Sequence, residues 1–530
     1  MALQRVAPFA APRRSAATQT VKMRNVPAPV GGLNFRDPIS EMQPIDAVVM
    51  DNMIPRQSGA EMRKGYQLHV DDVGGQAKSV FTYNAANSTN DKVFAARGGN
   101  IYDVTVDPAT VAVSATGSTN DLWWTTQFST GADMFLLAVS PGAGYYTYSH
   151  ATGWVKRTPA GLPTTTLRTV GVWKRRVFFT AVDDPHVYYF HNVDVVTGNT
   201  SPFNMGSLLR NGGYISAVIN WTLDAGVGID DHLVVVGTQG DLGVWAGTDP
   251  QSAATFSLQG VWYIGPVPEF GRYFTPAGGD VMILSSLGLQ QMSKIVNGQF
   301  IERDPGPSAK IQSVLNPLVQ TYLNAQAWEM LVVPSQNILL ISPPPSDIGT
   351  YQQYAMNLTT GAWCTFSGMR MRAAAVLDGT MYYGTNDGYI YKGLFGNKDG
   401  VAMNGTGGDL VEADVQCAFN AMGNAGILKR FSMARPIFIA NDTPSVKVQV
   451  NTQYQLNPVA GSPSFTVQSA GVWDTSTWNN AIWSGNANTY QAFVGVTGLG
   501  YYGSIRMKVR GLSGTVFSST HMMYDNGGVM

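Results

Sequence analysis

Cysteine is nearly absent: Cys364 and Cys417 are the only two in 530 residues. Two thiols with no CxxC spacing exclude a disulfide framework and a cysteine-built zinc or redox site. Charge is scarce too. Lys, Arg, Asp and Glu make 13% of the chain, roughly half the ~25% usual in soluble domains. The 34 basic and 35 acidic residues leave a formal net charge of -1, which excludes a generic basic nucleic-acid binder. Long hydrophobic runs are missing as well. The longest strictly apolar stretch, Met134–Val139, has six residues, against the ~18 or more of a membrane helix. The opening stretch MALQRVAPFAAPRRSAATQT has no apolar h-region, so it does not read as a secretory signal. Its composition makes residues 1–30 a flexible arm, with ordering on assembly as the alternative.

What the chain does have is 58 Gly, 28 Pro, 12 Trp and 23 Tyr. Many turns, many aromatics and few long charged side chains suit strands and tight loops. One unit keeps returning: an apolar strand, a Gly/Asn/Asp turn, then a strand ending in aromatics. It runs through KVFAARGGNIYDVTV (92–106), the stretches 134–158, 175–190, 232–247, 280–295 and 337–368, and TMYYGTNDGYIYKG (380–393). The turns are hairpin signals, because these residues tolerate positive φ. Seven units at a period of roughly 47 residues fit four-stranded propeller blades. The expected class is all-β: a degenerate β-propeller of six to eight blades, with two stacked β-sandwiches as the alternative. No WD40 pairing or sialidase-type Asp-box marks the repeats; Thr385-Asn386-Asp387-Gly388 lacks the Trp that should follow.

One segment breaks the rhythm. In residues 308–323, Ile311, Val314, Leu315, Leu318, Val319 and Tyr322 share one helical face, which predicts a helical insertion. Ser308 is placed as its N-cap, and Pro317 predicts a kink or a break. Past the Gly-rich stretch 404–408 the pattern changes again. Residues 445–450 and 505–510 alternate strictly, as half-buried antiparallel strands do. Between them stand Trp473, Trp478 and Trp483, read either as loop aromatics clamping a sandwich edge or as an intersubunit contact. The expected division is an arm (1–30), a segment packing on the body (31–75), the propeller with its helix (76–404) and a C-terminal β-sandwich or platform (405–530).

Sites for chemistry are hard to find. The sequence has no GxxxxGK[ST], GxSxG or HExxH, and no GxGxxG opening a helix after a strand. The densest polar cluster, Asp183-Asp184-Pro185-His186 with His191 and Asp194, reads as a turn. His186 and His191 are five apart and would face opposite ways on a strand. Asp71-Asp72 and Asp230-Asp231 read the same way. The basic groups Lys174-Arg175-Arg176, Arg370-x-Arg372 and Lys429-Arg430 are short and scattered, too little for tight duplex binding. No catalytic residue, metal ligand or cofactor is expected.

The stretch 30–66 nevertheless resembles the N-terminal signature of tail-nozzle proteins (packaged-DNA stabilisation or tail-hub proteins) of short-tailed bacteriophages. Gly31, Gly32, Leu33 and Asn34 precede Pro38; then come Asn52, Ile54 and Pro55, followed by Arg63, Gly65 and Tyr66. Residues 428–454 resemble that family's C-terminal strand pair and residues 472–485 its Trp segment. The resemblance implies a structural virion protein forming a sixfold ring below the portal and adaptor proteins. Such a ring extends and closes the DNA exit channel and docks tail fibres or spikes. Double-stranded DNA would pass without sequence-specific binding, and the chain would be made in the host cytoplasm and reside in the virion tail. Trp473, Trp478 and Trp483 would then mark an assembly surface. The competing class is a β-propeller that binds or cleaves glycans, whose axial pocket would gather carboxylates and aromatics.

Overall fold

Each of the seven sequence units folds as a β-hairpin. Met134–Ser140, for example, turns back on Gly144–Ser149, and Thr380–Gly384 on Ile390–Gly393. The computed structural model describes residues 21–222, 231–298, 306–345, 351–461 and 488–526. Among these, six hairpins gain a strand on each side and become four-stranded antiparallel blades. In chain order the blades span Ser79–Val113, Trp124–Arg157, Leu167–Asn204, Ile215–Tyr263 and Trp328–Phe366, with the sixth built on Ala373–Gly393. The remaining hairpin belongs to a three-stranded sheet, Phe274–Gln291, between the fourth and fifth blades. The fold is thus all-β, a propeller in which the first strands of successive sheets pack side by side around an axis.

The sixth blade takes its outermost strand, Tyr66–Val70, from before the first blade. Start and end of the ring are therefore held by a strand ladder, with Gly393 paired to Tyr66 and Lys392 to Gln67. Between blades, aromatic side chains fill the wedge. Phe81 and Phe94 of the first blade meet Trp154 and Tyr148 of the second at 4.9–6.1 Å, mostly edge to face. Leu167, Val170 and Phe179 pack on Leu137 and Tyr145 in the next wedge.

The helix lies where its apolar face required. A 3-10 turn, Ala309–Ile311, leads into an α-helix, Gln312–Thr321. Ile311, Leu315 and Val319 are fully buried, and Val314, Leu318 and Tyr322 pack around them. Two details differ from the sequence reading. Pro317 sits inside one continuous α-helix without splitting it. Ser308 makes no side-chain cap; its hydroxyl instead accepts the Leu289 N–H at 3.0 Å, tying the helix to the three-stranded sheet.

After residue 404 the strands fall in two sheets, the first continuous with the fifth blade through the pairing of Asp51 with Thr365. In the first, Ser445–Thr452 pairs with Gly503–Gly511, setting Val446 opposite Val509, Val448 opposite Met507 and Val450 opposite Ile505. Asp409–Cys417 flanks Gly503–Gly511, and Asp46–Asp51 lies beyond it. The other sheet is centred on Lys429–Ala440 and Val516–Asn526. It takes in Lys22–Pro27, from within the stretch read as an arm, along Val516–Asn526, and it takes in Ala60–Met62 at Val516 and Phe517. The N-terminal segment is therefore interleaved with the C-terminal sheets.

Candidate functional site

Two of the signature residues of 31–66, Asn52 and Arg63, form a buried polar clasp. Arg63 is 0% exposed, and a guanidinium carries five N–H donors that must all be matched. All five are. Nε donates to Asn52 Oδ1 at 2.7 Å, and Nη1 donates to Lys64 O at 2.9 Å and Asp399 Oδ1 at 2.7 Å. Nη2 donates to Ser367 O at 2.9 Å and Asp399 Oδ2 at 2.7 Å. Asn52, held at φ 57°, donates in turn to Glu412 O at 2.8 Å and Ser367 Oγ at 3.1 Å. One side chain thereby spans the fifth blade's end (Ser367) and the C-terminal sheet (Glu412). Gly65 follows because a Cβ there would lie 1.8 Å from Lys398 O.

The first half of the signature makes a second knot. Asn34 Nδ2 donates to Asp46 Oδ2 at 2.7 Å, and Lys310 from the 3-10 turn reaches Asp46 Oδ1 at 2.7 Å. Gly32, at φ 70°, passes so close to Trp363 that a Cβ would sit 2.5 Å from its carbonyl oxygen. Asp51 stands between the knots, accepting from Ser367 Oγ at 2.5 Å and Thr365 Oγ1 at 3.0 Å. Burial raises its pKa against those two hydrogen bonds.

A different cluster lies on the propeller axis, and sequence reasoning missed it. Lys78, Trp124, Arg168, Arg272, Tyr273 and Glu329 line a cavity of about 50 Å³ together with Glu269. Apart from Glu269, each stands at or beside the start of a first strand or, for Arg272, in a two-residue strand preceding one. Arg272 crosses the axis, its Nη1 donating to Ala374 O at 3.1 Å and its Nη2 to Val80 O at 3.3 Å. Glu329 is 7% exposed and its Oε2 has no hydrogen-bond partner among the described residues. Burial pushes its pKa up to about 7, against the pull of Arg272 and Arg372. Arg372, 9% exposed, is lowered by its own burial. Tyr214 donates to Glu269 Oε1 at 2.5 Å, and Tyr273 to Ser216 Oγ at 2.7 Å. Around 100 sequence positions separate Arg168 from Glu269, so no local motif joins them. The available signal was positional: charged residues recurring at the same point of a β repeat.

The polar cluster at 183–194 is spent on local structure. Asp184 Oδ1 accepts the His186 N–H at 2.9 Å and lies 2.7 Å from His186 Nδ1, while Tyr188 donates to Oδ2 at 2.7 Å. His191 is occupied separately by Ser201 Oγ at 2.7 Å, and Asp194 pairs with Arg175 at 2.6 Å. The basic groups are likewise used internally. Lys174 donates to Gly247 O at 2.6 Å, and Lys429 donates to three carbonyls, those of Asn424, Ile427 and Tyr501. Trp473, Trp478 and Trp483 lie outside the described residues, as do residues 1–20 and Asp230. Among the described residues no helix is long and apolar enough to cross a membrane.

No protein-family model and no curated protein matches the chain. Solved structures show remote likeness, among them three propeller-length matches. The extracellular domain of a hybrid two-component system from B. thetaiotaomicron aligns at 11% identity and a TM-score of 0.38, over 59% of this chain and 39% of that one. A computationally designed protein, Ika8, aligns at 13% and 0.34, over 62% and 99%. A second such extracellular domain from the same organism aligns at 8% and 0.32, over 62% and 40%. Likeness at this level says nothing of function. The propeller itself is read from the sheet topology.

Proposed function

We propose that this β-propeller protein is a structural component of the virion tail of a short-tailed phage, a nozzle or hub subunit without catalytic activity. The observation that carries the reading is the ordered signature from Gly31 to Tyr66. Its physical content supports it: the same residues tie the propeller to the C-terminal sheets through buried, fully matched hydrogen bonds. A subunit that guards a channel under load needs its parts joined in this way. In this reading six copies form a closed ring by head-to-tail contacts. The ring sits below the portal and adaptor, docks fibres or spikes, and lets double-stranded DNA pass.

The glycan-directed alternative fares worse on the axial lining. A sugar-cleaving pocket gathers carboxylates, whereas this one sets Lys78, Arg168 and Arg272 against Glu269 and Glu329. Light scattering and electron microscopy of the purified full chain test the proposal. A ring of about six copies, alone or on addition of portal and adaptor proteins, is expected. Replacing Trp473, Trp478 or Trp483 by Ala should cost association ~2 kcal/mol or more if that Trp is a hot spot, with subunit melting unmoved. A stable dimer with glycosidase turnover overturns the reading.

A further inference from the structure

We propose that the axial cavity of the propeller is a binding site for a small oxyanion, a phosphate or carboxylate group held by Arg168 with Lys78 and Arg272. The inference does not depend on the nozzle reading. It begins with Arg168, which is 8% exposed and whose Nη1 has no hydrogen-bond partner among the described residues. Leaving a charged donor unmatched in a buried place is costly, so such a group points to a missing acceptor. Arg168 is not loosely placed. Its Nη2 donates to the Glu269 carbonyl, and its guanidinium lies 5.3 Å from the Tyr214 ring centre and 5.8 Å from that of Phe270. Aromatic faces on an arginine fix its plane in advance of any ligand.

Charge and size agree on the class of ligand. Three cations line the cavity, and the two carboxylates there do not cancel them fully. Glu269 is engaged by the Tyr214 hydroxyl, and burial shifts Glu329 toward its neutral form. A protonated Glu329 would offer an O–H to the same ligand. One water needs ~10–15 Å³ of such space, so about 50 Å³ has room for roughly four oxygens. That matches a tetrahedral phosphate or a carboxylate with a water.

The test is calorimetric titration of the full chain with inorganic phosphate and, separately, with acetate, at constant ionic strength against a chloride control. Saturable binding of at least one anion is expected. Preference for phosphate assigns a phosphoryl ligand, and preference for acetate a carboxylate. Arg168→Gln should weaken binding at least about tenfold, the loss of one charge-assisted hydrogen bond. Lys78→Ala, at the half-buried rim, should weaken it several-fold while the circular dichroism spectrum stays unchanged. No saturable heat with either anion overturns the proposal and leaves a water-filled cavity. So does unchanged affinity in a folded Arg168→Gln chain. Should that variant not fold, unchanged affinity in Lys78→Ala overturns it.

Discussion

Replacing Arg63 by Met takes out the guanidinium at the centre of the clasp while keeping an unbranched apolar stem. Four acceptors besides Asn52 Oδ1 then lose their donor: Lys64 O, Ser367 O and both carboxylate oxygens of Asp399. Breaking a buried ion pair from one side costs ~3–5 kcal/mol. The Asp399 side chain is 17% exposed, so water partly solvates the orphaned carboxylate and the lower end applies. Asn52 Oδ1 keeps the Ser367 N–H at 3.0 Å, which limits the loss further. The expected cost is about 3 kcal/mol. Arg63→Lys keeps the charge but has three donors in place of five, and should lose about 2 kcal/mol. The assay is urea unfolding followed by tryptophan fluorescence, with Asp399→Asn and the double variant completing a cycle. Because Arg63 and Asp399 share two hydrogen bonds, a coupling of about 1–3 kcal/mol is expected. Limited proteolysis should open the chain near residues 52–66 in Arg63→Met before the blades are cut. A folded Arg63→Met chain that loses under about 1 kcal/mol would refute the clasp as the joint between propeller and C-terminal sheets.

Three further outcomes follow from the same geometry. Glu329 has a folded-state pKa of about 7 against an ordinary 4.5, so the native state binds more protons across that window. Stability should fall as pH rises from ~4.5 through ~7, by about 3 kcal/mol in all. Glu329→Gln should remove that slope and melt higher than the parent at pH ~8, as read by differential scanning calorimetry. Gly65→Ala drives a Cβ to 1.8 Å from backbone Lys398 O, and should cost ~3 kcal/mol or yield insoluble protein, measured by soluble yield and melting. Removing residues 1–60 takes Lys22–Pro27 off Val516–Asn526 and Asp46–Asp51 off Asp409–Cys417. That truncated chain should be insoluble, and soluble folded material would contradict the interleaving.

The parts of the fold that were legible in the sequence are those whose partners lie close along the chain. A hairpin such as Met134–Ser140 with Gly144–Ser149 carries its strand, turn and return within about sixteen residues, and Gly142 meets the turn's positive φ. The helix face was legible for the same reason, since Ile311, Leu315 and Val319 mark it by spacing alone. Ser308 was misread because a hydroxyl beside a helix start has two suitors, and the strand N–H of Leu289 won. Long-range closures left no local trace. Tyr66–Val70 reads as one more half-apolar strand, and nothing near it names residues 390–393 as its partner.

The clasp was visible only as a pattern of residue types, without its cause. Asn52 had to be a residue that tolerates φ 57°, and its amide had to reach residues more than 300 positions away. Arg63 waits for Asp399, 336 positions on. The axial site was hidden by a subtler effect. In Trp328–Val333 a single Glu stands between Trp and Met, and on an ordinary half-buried strand such a residue faces water. Here the alternation still holds, but the first strands of a propeller turn that second face toward the axis. Glu329 is therefore carried inside by the same period that normally puts a carboxylate outside. Its burial raises its pKa, and together with the unmatched Arg168 it makes the axis the place where this chain's chemistry is least like that of a mere scaffold.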